Sequence, residues 1–121
     1  MSYASVHIDV PPTANRMWRN GNTRHGKSAE YEGWKRAASW DINVQRKGFK
    51  FTDPVEVTII AKQPHKLRDL DNLIKPTLDS LQAGCLLSND NIVRCILARW
   101  ARDDEPDLKG EKMRVEVRSY T

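Results

Sequence analysis

Seven consecutive residues, Val55-Glu56-Val57-Thr58-Ile59-Ile60-Ala61, constrain the fold of this chain more than any others. Val55, Val57, Thr58, Ile59 and Ile60 all branch at the β-carbon, which crowds a helix but suits a pleated strand. Three further stretches read as strands. Ser5 to Val10 alternates apolar and polar residues and is stopped by Pro11 and Pro12. Ile92 to Trp100 is a third, and Met113 to Val117 alternates cleanly. The acidic run Asp103, Asp104, Glu105 and Asp107, with Pro106 and Gly110, then reads as a hairpin loop between the last two strands.

Two helices complete the pattern. Ser28 can cap one from about Ala29 to Gln45, with Tyr31, Trp34, Ala38 and Ile42 on one face and Ala37, Trp40 and Val44 beside it. Lys47-Gly48 is its expected stop. The second runs from about Leu70 to Gln82, burying Leu70, Leu73, Ile74, Leu78 and Leu81, with Gly84 as its end. Pro76 is tolerable there only if the helix starts late enough to put it in the first turn. The order β-α-β-α-β-β predicts an α+β fold: a small mixed sheet packed against two helices. No repeat, low-complexity tract or linker interrupts the chain, so a single domain over residues 1–121 is expected.

Composition excludes several classes. With 39% apolar and 30% charged residues the chain is globular rather than disordered. Its apolar runs are too short to cross a bilayer, and Met1 to Val10 lacks the pattern of a secretory signal, so no membrane partner and a cytoplasmic location are expected. Cys85 and Cys95 have no histidine nearby in sequence, which argues against structural zinc and for reduced thiols. A net charge of +4 permits a polyanionic partner without requiring one.

The chemically informative segment is Arg68-Asp69-Leu70-Asp71-Asn72-Leu73-Ile74-Lys75-Pro76, followed by Asn89-Asp90. A helix N-terminus welcomes one acid as cap and dipole partner; it has no need of two, with a third from a later turn. Three converging carboxylates repel unless a cation neutralises them, and oxygen donors of this kind suit Mg²⁺ or Mn²⁺. Lys75, four residues after Asp71, can serve a phosphate on the same face. The competing reading is plain: Asp69 caps the helix, Asp71 and Lys75 form a surface pair, and Asp90 opens a turn. An EF-hand starting at Asp69 is excluded, because it needs Gly and Glu where the chain has Ile74 and Ser80. An aspartyl-phosphate enzyme is excluded too, since His65-Lys66-Leu67-Arg68 is no buried strand.

The run Asp69 to Pro76, then Leu78-Asp79, then Asn89-Asp90-Asn91-Ile92-Val93, closely resembles the signature of RusA-type crossover-junction endodeoxyribonucleases. Pro11-Pro12-Thr13-Ala14-Asn15-Arg16-Met17-Trp18-Arg19 is similar to that family's N-terminal motif, and the likeness extends from Val10 to Trp100. The resemblance implies a homodimeric, metal-dependent endonuclease that resolves four-way DNA junctions in recombination and repair, leaving 5′ phosphates and 3′ hydroxyls. It implies Asp69, Asp71 and Asp90 as metal-binding acids, with Mg²⁺ or Mn²⁺, and Lys75 as the active-site lysine. One position departs: many members have a second acid where this chain has Asn89. Two rival classes are a DNA-binding protein without cleavage, separable by a metal-dependent nicking assay, and a protein-interaction module, which predicts no salt-sensitive DNA binding.

Asn15, Arg16, Arg19, Arg24 and Lys27 crowd the stretch from Thr13 to Lys27, a long polar loop. With Lys66 and Arg68 they are the expected DNA contacts. The apolar helix faces, including Trp34, Trp40, Leu73, Ile74, Leu78 and Leu81, exceed what a small sheet covers, so a subunit interface is expected there. Replacing Arg16, Arg19 and Arg24 with Ala weakens binding to every DNA sequence and flattens its salt dependence, by about 0.9 in slope for each phosphate left without its cation. An unchanged slope in a salt titration assigns the loop to solvated surface.

Overall fold

The computed structural model describes residues 2–13, 28–63, 68–105, 108 and 112–121. The elements are β1 (Tyr3–Asp9), α1 (Ala29–Gln45), β2 (Val55–Ala61), α2 (Ile74–Ala83), β3 (Val93–Trp100) and β4 (Lys112–Ser119). A 3-10 turn, Leu70–Leu73, leads into α2, and a second, Asp90–Ile92, leads into β3. The fold is α+β, in the order the hydrophobic pattern implies. Ser28 caps α1 as expected, its hydroxyl accepting from the Tyr31 N–H at 3.1 Å. Because α2 begins at Ile74, Pro76 falls in its first turn, where the proline's missing N–H would have no intrahelical partner.

The sheet order is β1-β4-β2-β3, with β2 parallel to β3 and antiparallel to β4. This corrects the expected hairpin: β2 lies between β3 and β4, so residues 101–111 connect strands that do not pair with each other. The reason is burial. Val55, Val57, Ile59 and Ala61 of β2 are all buried, as are Met113, Val115 and Val117 of β4, whereas Arg94 to Leu97 of β3 are exposed. The strand with the most apolar surface takes the centre, and β3 takes the rim. The core is completed by Val6 and Ile8 of β1, Ala38 and Ile42 of α1, and Leu73, Leu81, Leu86 and Leu87.

The acidic connection closes across the sheet. Arg99 of β3 and Arg114 of β4 both stand in register with Ile60 of β2. Glu105 bridges them, with Oε1 2.7 Å from Arg99 Nη1 and Oε2 2.9 Å from Arg114 Nη2, while the Arg102 N–H donates to Oε1 at 2.9 Å. Ile60 stays buried beside this clamp, although it alternates away from the helix-facing core.

At the end of α2, glycine serves packing rather than backbone freedom. Gly84 has φ −82°, and the left-handed residue is the next one, Cys85, at φ 68°. A Cβ on Gly84 would lie 2.8 Å from Ile42 Cβ and 2.8 Å from the Ser39 carbonyl oxygen, so the two helices cross where only hydrogen fits.

The sheet's two edges are treated differently. On β1 the His7 N–H donates to Gln45 Oε1 at 2.8 Å, Gln45 Nε2 donates back to the His7 carbonyl at 2.7 Å, and Trp34 Nε1 donates to the Asp9 carbonyl at 2.9 Å. Side chains of α1 thus occupy that edge. Among the described residues the outer edge of β3 has no neighbouring strand, and Ile96 and Leu97 on it are 38% and 51% exposed. The expected surplus on the helix faces is largely absorbed instead: Leu73 and Leu81 are buried, and Trp34, Ile74 and Leu78 pack on the core. Of that group Trp40 alone is fully solvent-facing, at 71% exposure. Among the described residues no helix is long and apolar enough to cross a membrane.

Two outcomes follow from these contacts. Gly84→Ala lowers unfolding stability by about 1–3 kcal/mol through overpacking, with the urea m-value unchanged; a neutral substitution shows that the helix crossing yields freely. The arginines hold the Glu105 carboxyl at about 2, below its ordinary 4.5. A depressed folded-state pKa gives a contribution present above the unfolded value and lost as pH falls through the folded one. Glu105→Gln therefore removes the part of the stability loss that wild type shows between about pH 4.5 and about pH 2, read from denaturation at stepped pH.

Candidate active site

The site is assembled along one stripe of α2. Lys75, Asp79 and Gln82, spaced i, i+4 and i+7, share a helix face. Against that face lies the turn holding Asp90. Gln82 Oε1 accepts the Asp90 N–H at 3.0 Å, and Lys75 Nζ lies 3.5 Å from Asp90 Oδ2 and 3.1 Å from Asp79 Oδ1. The turn is held from the other side as well. The Phe51 N–H donates to the Leu86 carbonyl at 2.8 Å and the Ser88 N–H to the Phe51 carbonyl at 2.9 Å, clipping the segment before Asp90 to the strand entry at Phe51.

Of the plain reading of these acids only one part is observed: Asp90 does open a turn. Asp69 occupies the N-cap position of the Leu70–Leu73 turn with extended backbone, yet makes no side-chain cap hydrogen bond. Lys75 pairs with Asp79 and Asp90 rather than with Asp71 four residues before it. Asp69 and Asp71 are exposed and, among the described residues, their carboxylates have no hydrogen-bond or ion-pair partner. Lys75 has its pKa raised, first by its hydrogen bond to Asp79, then by that carboxylate's charge, with a smaller part from Asp90. It is an exposed cation held by two carboxylates, Asp79 and Asp90.

The structure brings Lys75 and Asp90 together and sets Asp69 and Asp71 on the turn that opens the same helix. It does not draw the three acids into a closed cluster: among the described residues no group of three His, Cys, Asp or Glu could hold a metal ion. The donor chemistry still fits a hard divalent cation, because the three groups are carboxylates and neither Asp69 nor Asp71 is committed elsewhere in the fold. Asn89, the departure in the motif, has a task of its own. Its Oδ1 accepts the Asn91 N–H at 2.9 Å and caps the Asp90 turn, as an aspartate there could.

Arg68 is turned inward. It is buried, and its Nη2 donates to the Pro11 carbonyl at 2.6 Å and the Pro12 carbonyl at 3.2 Å, an internal tie rather than the expected phosphate contact. That tie joins the residue before Asp69 to the root of the basic loop. Asn15, Arg16, Arg19, Arg24, Lys27 and Lys66 lie outside the described residues. Sequence reasoning gave no role to Asp79 or Gln82, although their spacing of four and seven from Lys75 was the available signal.

The family described as Endodeoxyribonuclease RusA matches residues 9–118, nearly the whole chain. The chain belongs to the RusA family. Its chemistry is therefore that of an endodeoxyribonuclease. Relatives named Crossover junction endodeoxyribonuclease RusA include one from Escherichia coli O139:H28 (strain E24377A / ETEC), 28% identical over 119 residues, covering 97% of this chain and 95% of that protein. Another is from Aquifex aeolicus (strain VF5), 29% identical over 84 residues, covering 68% of this chain and 66% of that protein. The Shigella sonnei (strain Ss046) relative is 27% identical over 119 residues, with 97% and 95% coverage.

Proposed function

We propose that this RusA-family chain resolves four-way DNA junctions in the cytoplasm as a homodimer, cutting one strand at each of two Mg²⁺- or Mn²⁺-dependent sites. The observation that carries the reading is the choice made by Lys75: its ammonium reaches Asp90 from another turn and leaves Asp69 and Asp71 uncommitted. Asp69, Asp71 and Asp90 are the residues that would hold the ion. Once bound, it supplies Lewis acidity at the phosphate and lowers the pKa of the attacking water. Lys75 contributes a fixed positive charge beside the phosphoryl oxygens, where negative charge grows during displacement.

The chain's own residues perform the rest of the work. Gln82 and Asn89 fix the Asp90 turn, so its carboxylate keeps one orientation as substrate arrives. Arg68 anchors the root of the basic loop next to Asp69, and that loop meets the phosphate backbone. Pairing of two chains along β3 supports two-site cutting. Among the described residues the strand has an unpaired edge with exposed Ile96 and Leu97, and a two-fold axis perpendicular to the sheet puts both helix layers, and so both sites, on one side.

The test is cleavage of a labelled four-way junction with and without Mg²⁺. Wild type makes paired symmetric nicks only with metal. Asp71→Asn binds the junction as tightly or more tightly, because a negative charge near phosphate is gone, and fails to cut. Dimers mixed from wild-type and Asp71→Asn chains nick one strand and stop. Cleavage by Asp71→Asn at a near wild-type rate defeats the acid assignment, and paired cuts from a protein monomeric by light scattering defeat the dimer.

A further inference from the structure

Lys75 has two carboxylate partners, and they differ in kind. Asp90 belongs to the acid trio assigned to the cation, so its carboxylate has a second claimant. Asp79 belongs to no such group. It sits one helical turn along α2, 3.1 Å from the ammonium, with its side chain 17% exposed against 73% for Lys75. Its charge is embedded in the contact between the two helices. Tyr31 of α1, itself buried, has its hydroxyl pushed up to about 12, first by burial and then by the negative charge of Asp79. A shielded carboxylate on a helix is a fixed point, whereas a long lysine in solvent has many rotamers to lose.

We propose that Asp79 is a positioning residue, whose carboxylate keeps the Lys75 ammonium over the Asp90 turn while Asp90 is engaged by the cation. The inference rests on the proposed function and adds a division of labour to it. Asp90 serves the ion, Asp79 serves the lysine, and the lysine does not drift when the shared partner is taken. An ordinary surface pair at this spacing would leave the reaction unaffected when broken.

A double-mutant cycle separates these cases, using the full-length protein and a labelled four-way junction in single-turnover cleavage with Mg²⁺. Asp79→Asn keeps the shape and removes the charge. It lowers the cleavage rate on the order of ten- to a hundredfold, the scale of a misplaced catalytic group, with junction affinity within about twofold because binding is dominated by other phosphate contacts. Asp79→Glu, whose longer chain still reaches an i−4 lysine, recovers much of the rate. In a Lys75→Ala background Asp79→Asn has no further effect, which a merely structural role would not produce.

A second readout needs no cleavage. In ¹⁵N NMR of the lysine ammonium groups without DNA, the Lys75 signal is the one missing from Lys75→Ala. It stays ordered in wild type when Mg²⁺ is added and becomes mobile in Asp79→Asn. Should Asp79→Asn fail to fold, Asp79→Ala, alone and with Lys75→Ala, carries the same comparison. Wild type that does not cut the junction removes the proposed function and this inference with it. Wild type that cuts, with Asp79→Asn equally fast or additive with Lys75→Ala, overturns the inference alone, as does a Lys75 signal that stays ordered in Asp79→Asn on addition of Mg²⁺.

Discussion

The parallel pairing of β2 with β3 sets the position of everything chemical in this protein. Parallel neighbours cannot be joined by a tight turn, so the chain must cross over the sheet, and α2 is that crossover. The crossover makes one helix flank run past the turn that starts β3. Lys75, Asp79 and Gln82 on that flank then meet Asp90 without any loop being steered into place. Were β3 and β4 a hairpin, Asp90 would enter the sheet beside a different neighbour and the stripe would face no turn.

Much of this was readable from residue order, for identifiable reasons. The β-branched run of β2, the cap at Ser28 and the position of Pro76 are local facts, decided within a few residues of chain. The acidic motif stood out through its likeness to the RusA-type signature, since spacing alone also fits helix caps and surface pairs. Strand order was not readable, since it depends on which strand buries most surface, and the exposed flank of β3 is revealed only once β2 and β4 have paired. Arg68 misled for a related reason: beside Lys66 it looks like part of a basic surface, and only the fold brings the Pro11 and Pro12 carbonyls within reach of its guanidinium. Asp79 stood in the motif without a role, because an i,i+4 partner says nothing by itself about which of two anchors a lysine needs.

Two polar devices hold the sheet where apolar packing cannot. Glu105 ties β3 to β4 across an intervening strand, so the outermost strand is fastened through side chains as well as through its single ladder. Arg68 ties the start of the chain's basic segment to the residue beside Asp69, coupling the region expected to meet DNA to the region expected to cut it. Both use guanidinium groups with several donors in one plane, which a lysine could not imitate.

The capped edge of β1 governs growth. Gln45 satisfies both main-chain groups of His7, and Trp34 takes the carbonyl of Asp9, so a further strand would have to displace three hydrogen bonds to add there. Among the described strands, β3 alone has an edge without such partners. A sheet with a single open margin joins one other sheet of its kind and then has no margin left. Growth by strand addition alone would stop at two chains, whereas a fibre or stacked array requires each chain to offer two margins.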